Sequence, residues 1–149
     1  MTPLARWRAR SGLERRAVAE AFATLIVASL IVRFLPFRRL TEIARRPIVA
    51  PPPADPAAVV ARIAWAVDAA ARRARFRAVC IERGLAAQAM LRRRGVATLF
   101  HYGVARRDGD LTAHVWVTWQ GQDVVGGKEA ADFREMAIFA PTNAANRIG

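Results

Sequence analysis

A chain of 149 residues has room for one compact domain, and 54% hydrophobic residues suffice to build its core, which excludes wholesale disorder. The formal net charge is +12, nearly all of it arginine. Beside so many alanines this excess is a mark of coding bias as much as of a nucleic-acid ligand, and a basic surface attracts acidic peptides, phosphates and anionic lipid alike. One cysteine and two histidines exclude an internal disulfide and any multi-cysteine zinc site, imply no cofactor or metal, and fit a reducing cytoplasm.

Residues 12–45 read as helical: a long apolar helix, a break at Pro36, then the short basic stretch Phe37–Arg46. The uninterrupted apolar core of the first helix, Ala21 to Val32, falls short of the ~20 residues a membrane-spanning helix requires. Arginines precede it as they would a signal peptide, but Arg33 and Phe34–Pro36 follow in place of a small-residue cleavage site. The expectation is a buried or partner-facing helix, with an interfacial membrane helix as the alternative. Pro47 and Pro51–Pro53 then forbid helix and favour extended chain. This divides the chain into an N-terminal helical arm (1–46), a proline-rich linker (47–56) and the main domain (57–149).

Asp55 and Pro56 supply an N-cap and a first-turn proline. From Ala57 to about Arg75, Val60, Ile63, Ala64, Val67 and Ala71 recur at helical spacing. A second helix starts around Cys80, with Gly84, Ala87 and Leu91 on the cysteine's face, Arg92–Arg94 at its C-terminus, and Gly95 as its stop. The texture then turns to β. Residues 96–105 form a strand, 106–110 a turn, and Leu111–Trp119 a second strand, in which His114, Trp116 and Thr118 alternate with Val115, Val117 and Trp119. Gln120–Gly121 is the turn into Asp123–Gly126, and the tail from Ala130 forms a short helix anchored by Phe133, Met136 and Ile138. Helices first and sheet second make an α+β domain.

Two residues carry nucleophilic chemistry. Cys80 opens a helix, where unpaired backbone N–H groups and the helix dipole favour a thiolate, and His114 lies on a strand against which that helix can pack. Trp116 shares the histidine's face and is a candidate wall of a substrate cleft, with ordinary core packing as the alternative; Trp119 belongs to core or rim, and His101 is structural. Oxyanion donors would be backbone N–H groups, that of Cys80 among them. The arginine runs Arg72–Arg73 and Arg92–Arg94 read as solvated faces, with contacts to an acidic peptide or partner as the alternative. The sequence contains no Gly-rich phosphate loop, RNA-binding aromatic motif or metal box.

The run CIERGLAAQAMLRRRGVATLFHYGV, followed by AHVWV and GQDVVGG, resembles the stand-alone leader peptidase of lasso-peptide biosynthesis, the B protein. The matching elements are Cys80 opening a helix, Leu85, Leu91, Arg94 and Gly95, the pair Gly103–Val104, and Ala113–His114–Val115–Trp116–Val117. An apolar helix followed by Arg33-Phe34-Leu35-Pro36-Phe37-Arg38 is also similar to the family. The likeness runs over approximately residues 15–140. It implies a transglutaminase-like, papain-related cysteine-protease fold, with Cys80 as nucleophile and His114 as general base and then acid. It also implies a precursor peptide as substrate, a separate leader-recognition protein as partner, and an ATP-dependent macrolactam cyclase acting next.

The family's third catalytic member is an Asp about twelve residues past the histidine, and here that position is Gly126. A two-residue turn at Gln120–Gly121 pairs Thr118 with Asp123 and His114 with Gly127, which displaces Asp123 from His114 by about 13 Å at ~3.3 Å per residue. Asp123 is therefore nearest in sequence but poorly placed, and Glu129 is closer in level; an amide, a backbone carbonyl or water would also serve. Asp123 ranks just ahead of Glu129. The apolar N-terminal helix and proline linker are candidate docking surfaces for the partner. Three rival readings remain: a catalytically inactive binding module of the same fold, a basic protein of a membrane surface or nucleic acid, and a transglutaminase or amidase using the same acyl-enzyme.

Overall fold

A computed structural model describes residues 2–76 and 78–144. Five helices precede a four-stranded antiparallel sheet: α1 (Pro3–Arg8), α2 (Gly12–Phe34), α3 (Phe37–Ala44), α4 (Pro56–Arg73), α5 (Cys80–Arg93), then β1 (Leu99–Arg107), β2 (Asp110–Trp119), β3 (Gln122–Val125) and β4 (Arg134–Phe139), in spatial order β3-β2-β1-β4. The architecture is α+β, a layer of helices on one antiparallel sheet.

The helix boundaries follow from local chemistry. Ser11 and Glu14 close a reciprocal capping box at the start of α2, with Glu14 N–H donating to Ser11 Oγ (3.2 Å) and Ser11 N–H to Glu14 Oε2 (2.8 Å). Leu35, held extended before Pro36, ends it. Asp55 caps α4 by accepting from Ala58 N–H (3.1 Å), with Pro56 in the first turn. At the end of α5, Gly95 (φ +79°) makes a Schellman stop: its N–H reaches the Arg92 carbonyl and that of Val96 reaches Leu91. A Cβ at Gly95 would strike the Pro51 backbone carbonyl.

The expected N-terminal arm is instead a layer of the domain. Ala17, Val18, Ala21, Leu25 and Ala28 of α2 are buried in one cluster with Ile63 and Val67 of α4, Leu85, Met90 and Leu91 of α5, and Phe100, Val115 and Val117 of the sheet. The proline segment is likewise packed rather than a free linker. Ile48 is buried, its N–H donates to Asn143 Oδ1 (2.9 Å), and Asn143 Nδ2 donates back to the Ile48 carbonyl (2.7 Å).

Across the helix layer, Glu20 of α2 accepts from Arg93 (2.8 Å) and from Arg94 at the end of α5. The Arg94 hydrogen bond, and then that of Arg93, holds the Glu20 carboxyl below the usual carboxylate range against the opposing effect of burial. A depressed carboxylate stabilises the fold above its unfolded pKa of about 4.3 and loses that contribution as pH falls through the folded value. Glu20→Gln is therefore expected to lower the Tm at pH 7 and to narrow its difference from wild type towards pH 3, as thermal melts across that range will read.

Two elements depart from the sequence reading. The tail predicted as a helix is a 3₁₀ turn (Gly127–Asp132) followed by strand β4, which pairs antiparallel with β1 (Phe100 opposite Phe139, His101 opposite Ile138) and leaves Met136 and Ile138 exposed. The hairpin register holds at Trp119–Gln122 and Thr118–Asp123, then shifts by one at Val117, which pairs with Val125. A bulge there moves the chain beyond β3 relative to His114.

Candidate active site

α5 lies on the sheet through a glycine. A Cβ at Gly84 would stand 2.8 Å from Val115 Cγ1 and 3.1 Å from Phe100, so only glycine lets the helix approach this closely. That approach fixes where the helix begins. Cys80 is its first residue, half-buried, behind an N-cap, Val79, that offers no side-chain hydrogen bond. The leading N–H groups of a helix have no intrahelical acceptor, and Val79 leaves them open where Ser or Asp would have filled them. Cys80 and His114 line one cleft of about 460 Å³ with Val79, Arg83, Arg107, Gly126, Glu129 and Phe133, opening where α5 starts and β3 ends. No hydrogen bond joins Sγ to the imidazole among the described residues. Catalytic contacts of this kind tighten when substrate fills the site.

The imidazole is fixed on every side but one. His114 Nε2 lies 2.7 Å from the Gly126 carbonyl oxygen. A carbonyl only accepts, so the neutral ring carries its proton on Nε2 and presents the Nδ1 lone pair as the base. The ring stacks on Phe133 (4.8 Å between centroids) on one side and Trp116 (5.9 Å) on the other. Arg107 lies over the Phe133 ring (5.0 Å), and His101 stacks on Trp116 (5.2 Å). Gly103, opposite His114 on β1, makes room for the Trp116 ring, which a Cβ there would approach to 2.9 Å.

Of the two acids ranked from the sequence, Glu129 stands beside the imidazole and Asp123 does not. Asp123 pairs opposite Thr118, and its carboxyl packs against Gly127 Cα so tightly that a Cβ there would overlap it. Glu129 Oε2 is 3.6 Å from His114 Nε2, outside hydrogen-bond range but close enough to attract an imidazolium. The group that orients His114 is the carbonyl of Gly126, the residue at the position where the resembling family carries Asp. Because the Glu129 side chain is 60% exposed, its attraction is screened. Glu129→Gln is expected to lower kcat less than tenfold, with a smaller loss in high salt, measured by initial rates at two ionic strengths.

Trp116 is buried and is not part of the cleft wall; it supports the imidazole from behind. His101 is held by Glu135 on Nδ1 (2.7 Å) and Thr118 on Nε2 (2.8 Å). Sequence reading missed Phe133 as a ring against the histidine, Arg83 and Arg107 as cations of the cleft, and Glu82, buried in the first turn of α5. The first turn is where an acid suits the helix dipole, a signal that could have singled Glu82 out. No group of three or more metal-ligating side chains is present among the described residues.

Comparison with known proteins adds one match. A family model described as transglutaminase-like superfamily covers residues 22–137, which runs from Phe22 within α2 through most of β4 and includes both Cys80 and His114. Neither the curated proteins nor the solved structures yield a significant match.

Proposed function

Since the chain belongs to the transglutaminase-like superfamily, which includes cysteine peptidases, we propose that it is a cysteine peptidase that removes the leader from a lasso-peptide precursor. It acts in the cytoplasm with a separate leader-recognition protein and ahead of an ATP-dependent macrolactam cyclase. The observation that carries this reading is one cleft holding Cys80, at an uncapped helix start, and His114, with Nε2 committed to a carbonyl and Nδ1 free. The order of the Cys80 helix, the Leu91–Gly95 run, Gly103–Val104 and Ala113–Val117 supports the narrower family.

The chemistry follows from those atoms. Nδ1 of His114 takes the thiol proton as Sγ adds to the scissile carbonyl carbon, giving a tetrahedral oxyanion that backbone N–H groups at the start of α5 stabilise. The intermediate collapses with cleavage of the C–N bond, and Nδ1–H gives its proton to the leaving amine, the free N-terminus of the core peptide. Water, deprotonated by the same nitrogen, then hydrolyses the thioester to the leader carboxylate. The Gly126 carbonyl and, at longer range, Glu129 favour the imidazolium in each step. The leader is held by the separate recognition protein.

The test is mass spectrometry of a precursor peptide encoded beside this chain, incubated with the protein and its recognition partner, with Cys80→Ala and His114→Ala in parallel. A single cut at the leader–core junction, lost in both variants, is expected. An intact precursor, with Cys80 of the wild-type protein inert to iodoacetamide at neutral pH, would overturn the reading in favour of a non-catalytic module of the same fold.

A further inference from the structure

On the helical side of the molecule, at the opposite end of α5 from Cys80, α2, α3 and α5 enclose a groove of about 430 Å³. Its walls are apolar: Ala23, Val27 and Ile31 of α2, Ile43 of α3, Leu85 and Ala89 of α5. Val27 is 53% exposed, a large hydrophobic residue turned to water on a helix whose other face is fully used in the core.

The rim is predominantly cationic. Arg46, Arg92 and Arg93 converge on it. Arg92 is half-buried and donates to the Ile43 carbonyl (3.1 Å). Burial, then the neighbouring Arg46 and Arg93, push its guanidinium below the usual arginine range. Because arginine stays protonated regardless, Arg92 remains a half-buried cation flanked by Arg46 and Arg93. The one acid at the groove, Glu20, is already taken by Arg93 and Arg94, and Arg46 has no acidic partner among the described residues. An apolar trough edged by uncompensated cations is complementary to a segment that offers apolar side chains and carboxylates together. The concave shape suits a peptide segment better than a flat bilayer.

Resting on the reading of this chain as the peptidase of a two-protein system, we infer that the groove between α2, α3 and α5 docks an acidic, amphipathic segment of the leader-recognition protein. Its apolar side chains fill the trough beside Val27, and its carboxylates meet Arg46 and Arg92. The placement has a metric consequence. Ala89 to Arg92 stand about 14–18 Å along the helix axis from Cys80 at ~1.5 Å per residue. A leader released from the partner at this groove thus crosses the gap in roughly four to six extended residues.

The experiment is calorimetric titration of the wild-type protein, Val27→Asp and Arg46→Glu with the purified recognition protein, each variant first shown by circular dichroism to be folded. Precursor cleavage is followed in parallel. Both variants should weaken binding at least tenfold and slow partner-dependent cleavage at limiting partner. Replacing an acidic residue of the partner by arginine should restore binding to Arg46→Glu while impairing it for wild type. Wild-type binding and cleavage retained in full by both variants would overturn the docking site and leave the proposed function standing. Failure of the wild-type pair to cleave the precursor would instead strike at the proposed function; failure to bind would remove the inference too. A dimer of this chain dispersed by Val27→Asp, or retention on phosphatidylglycerol vesicles lost in that variant, would give the groove to a second copy or to a bilayer and overturn it as well.

Discussion

His114→Ala is expected to reduce precursor cleavage by about 10²–10⁴-fold, the range over which a positioned general acid–base contributes, and to slow alkylation of Cys80 by iodoacetamide at neutral pH. Both readouts depend on the same nitrogen. Nε2 is occupied by the Gly126 carbonyl at 2.7 Å, so Nδ1 is the atom able to take a proton from Sγ. His114→Gln is the informative companion, because an amide can keep a hydrogen bond to the carbonyl and fill part of the space between Phe133 and Trp116 but cannot act as a base. If His114→Gln cleaved at the wild-type rate, His114 would be a packing residue and the assignment would fall. Cys80→Ala should show no cleavage at all, since without the sulfur no acyl-enzyme forms.

The second large effect is expected at Gly126, where the resembling family would invite restoring an aspartate. Gly126→Asp should not rescue anything. Gly126 sits at φ +77°, and a Cβ there would lie 2.7 Å from the Val115 carbonyl oxygen and 3.2 Å from Trp116 Cα, both parts of the backbone that cannot swing aside. The left-handed conformation costs any other residue about 1 kcal/mol or more, and forced overpacking typically adds 1–3 kcal/mol. Because the Gly126 carbonyl is the group that orients His114, relief of the clash displaces the orienting atom. A misplacement of about 1 Å can cost about 10²-fold in rate. Gly126→Ala and Gly126→Asp are thus both expected to lower the Tm and to reduce kcat by about 10–100-fold. An Asp variant faster than wild type would show that a carboxylate can reach the imidazole after all.

Local signals made much of this molecule legible. Asp55–Pro56, Gly95 and Gln120–Gly121 each mark a boundary by chemistry confined to a few residues, and the structure puts a cap, a Schellman stop and a positive-φ turn (+48° and +76°) there. The cleft pair, Cys80 and His114, was readable because a helix start and a strand face are both local. What escaped is what distant residues decide. α2 is apolar around most of its circumference, so periodicity could not say that Ala21, Leu25 and Ala28 are its core face, and a core layer read as an arm. The proline segment is tied down by Asn143, far along the chain. β4 carries no strong strand pattern of its own and takes its conformation from pairing with β1, while Met136 and Ile138, read as helix anchors, face solvent. The bulge at Val117–Thr118 shifts the register by one residue, which no turn rule announces. Past that shift, Gly126, which has no side chain to offer, meets the ring through its backbone carbonyl.

The core position of α2 also sets the order of events while the chain is being made. Its apolar residues emerge from the ribosome early, yet the last helix that covers them, α5, is complete only at Arg93, roughly sixty residues later. At ~5–20 residues per second that interval is about 3–12 s. For that time the long, strongly apolar α2 is only partly covered, α4 joining it midway, and the nascent chain is at its most vulnerable to chaperones, membranes and its own copies. Yield in cells is thus expected to depend on α2, even though both reactive side chains are made long after it.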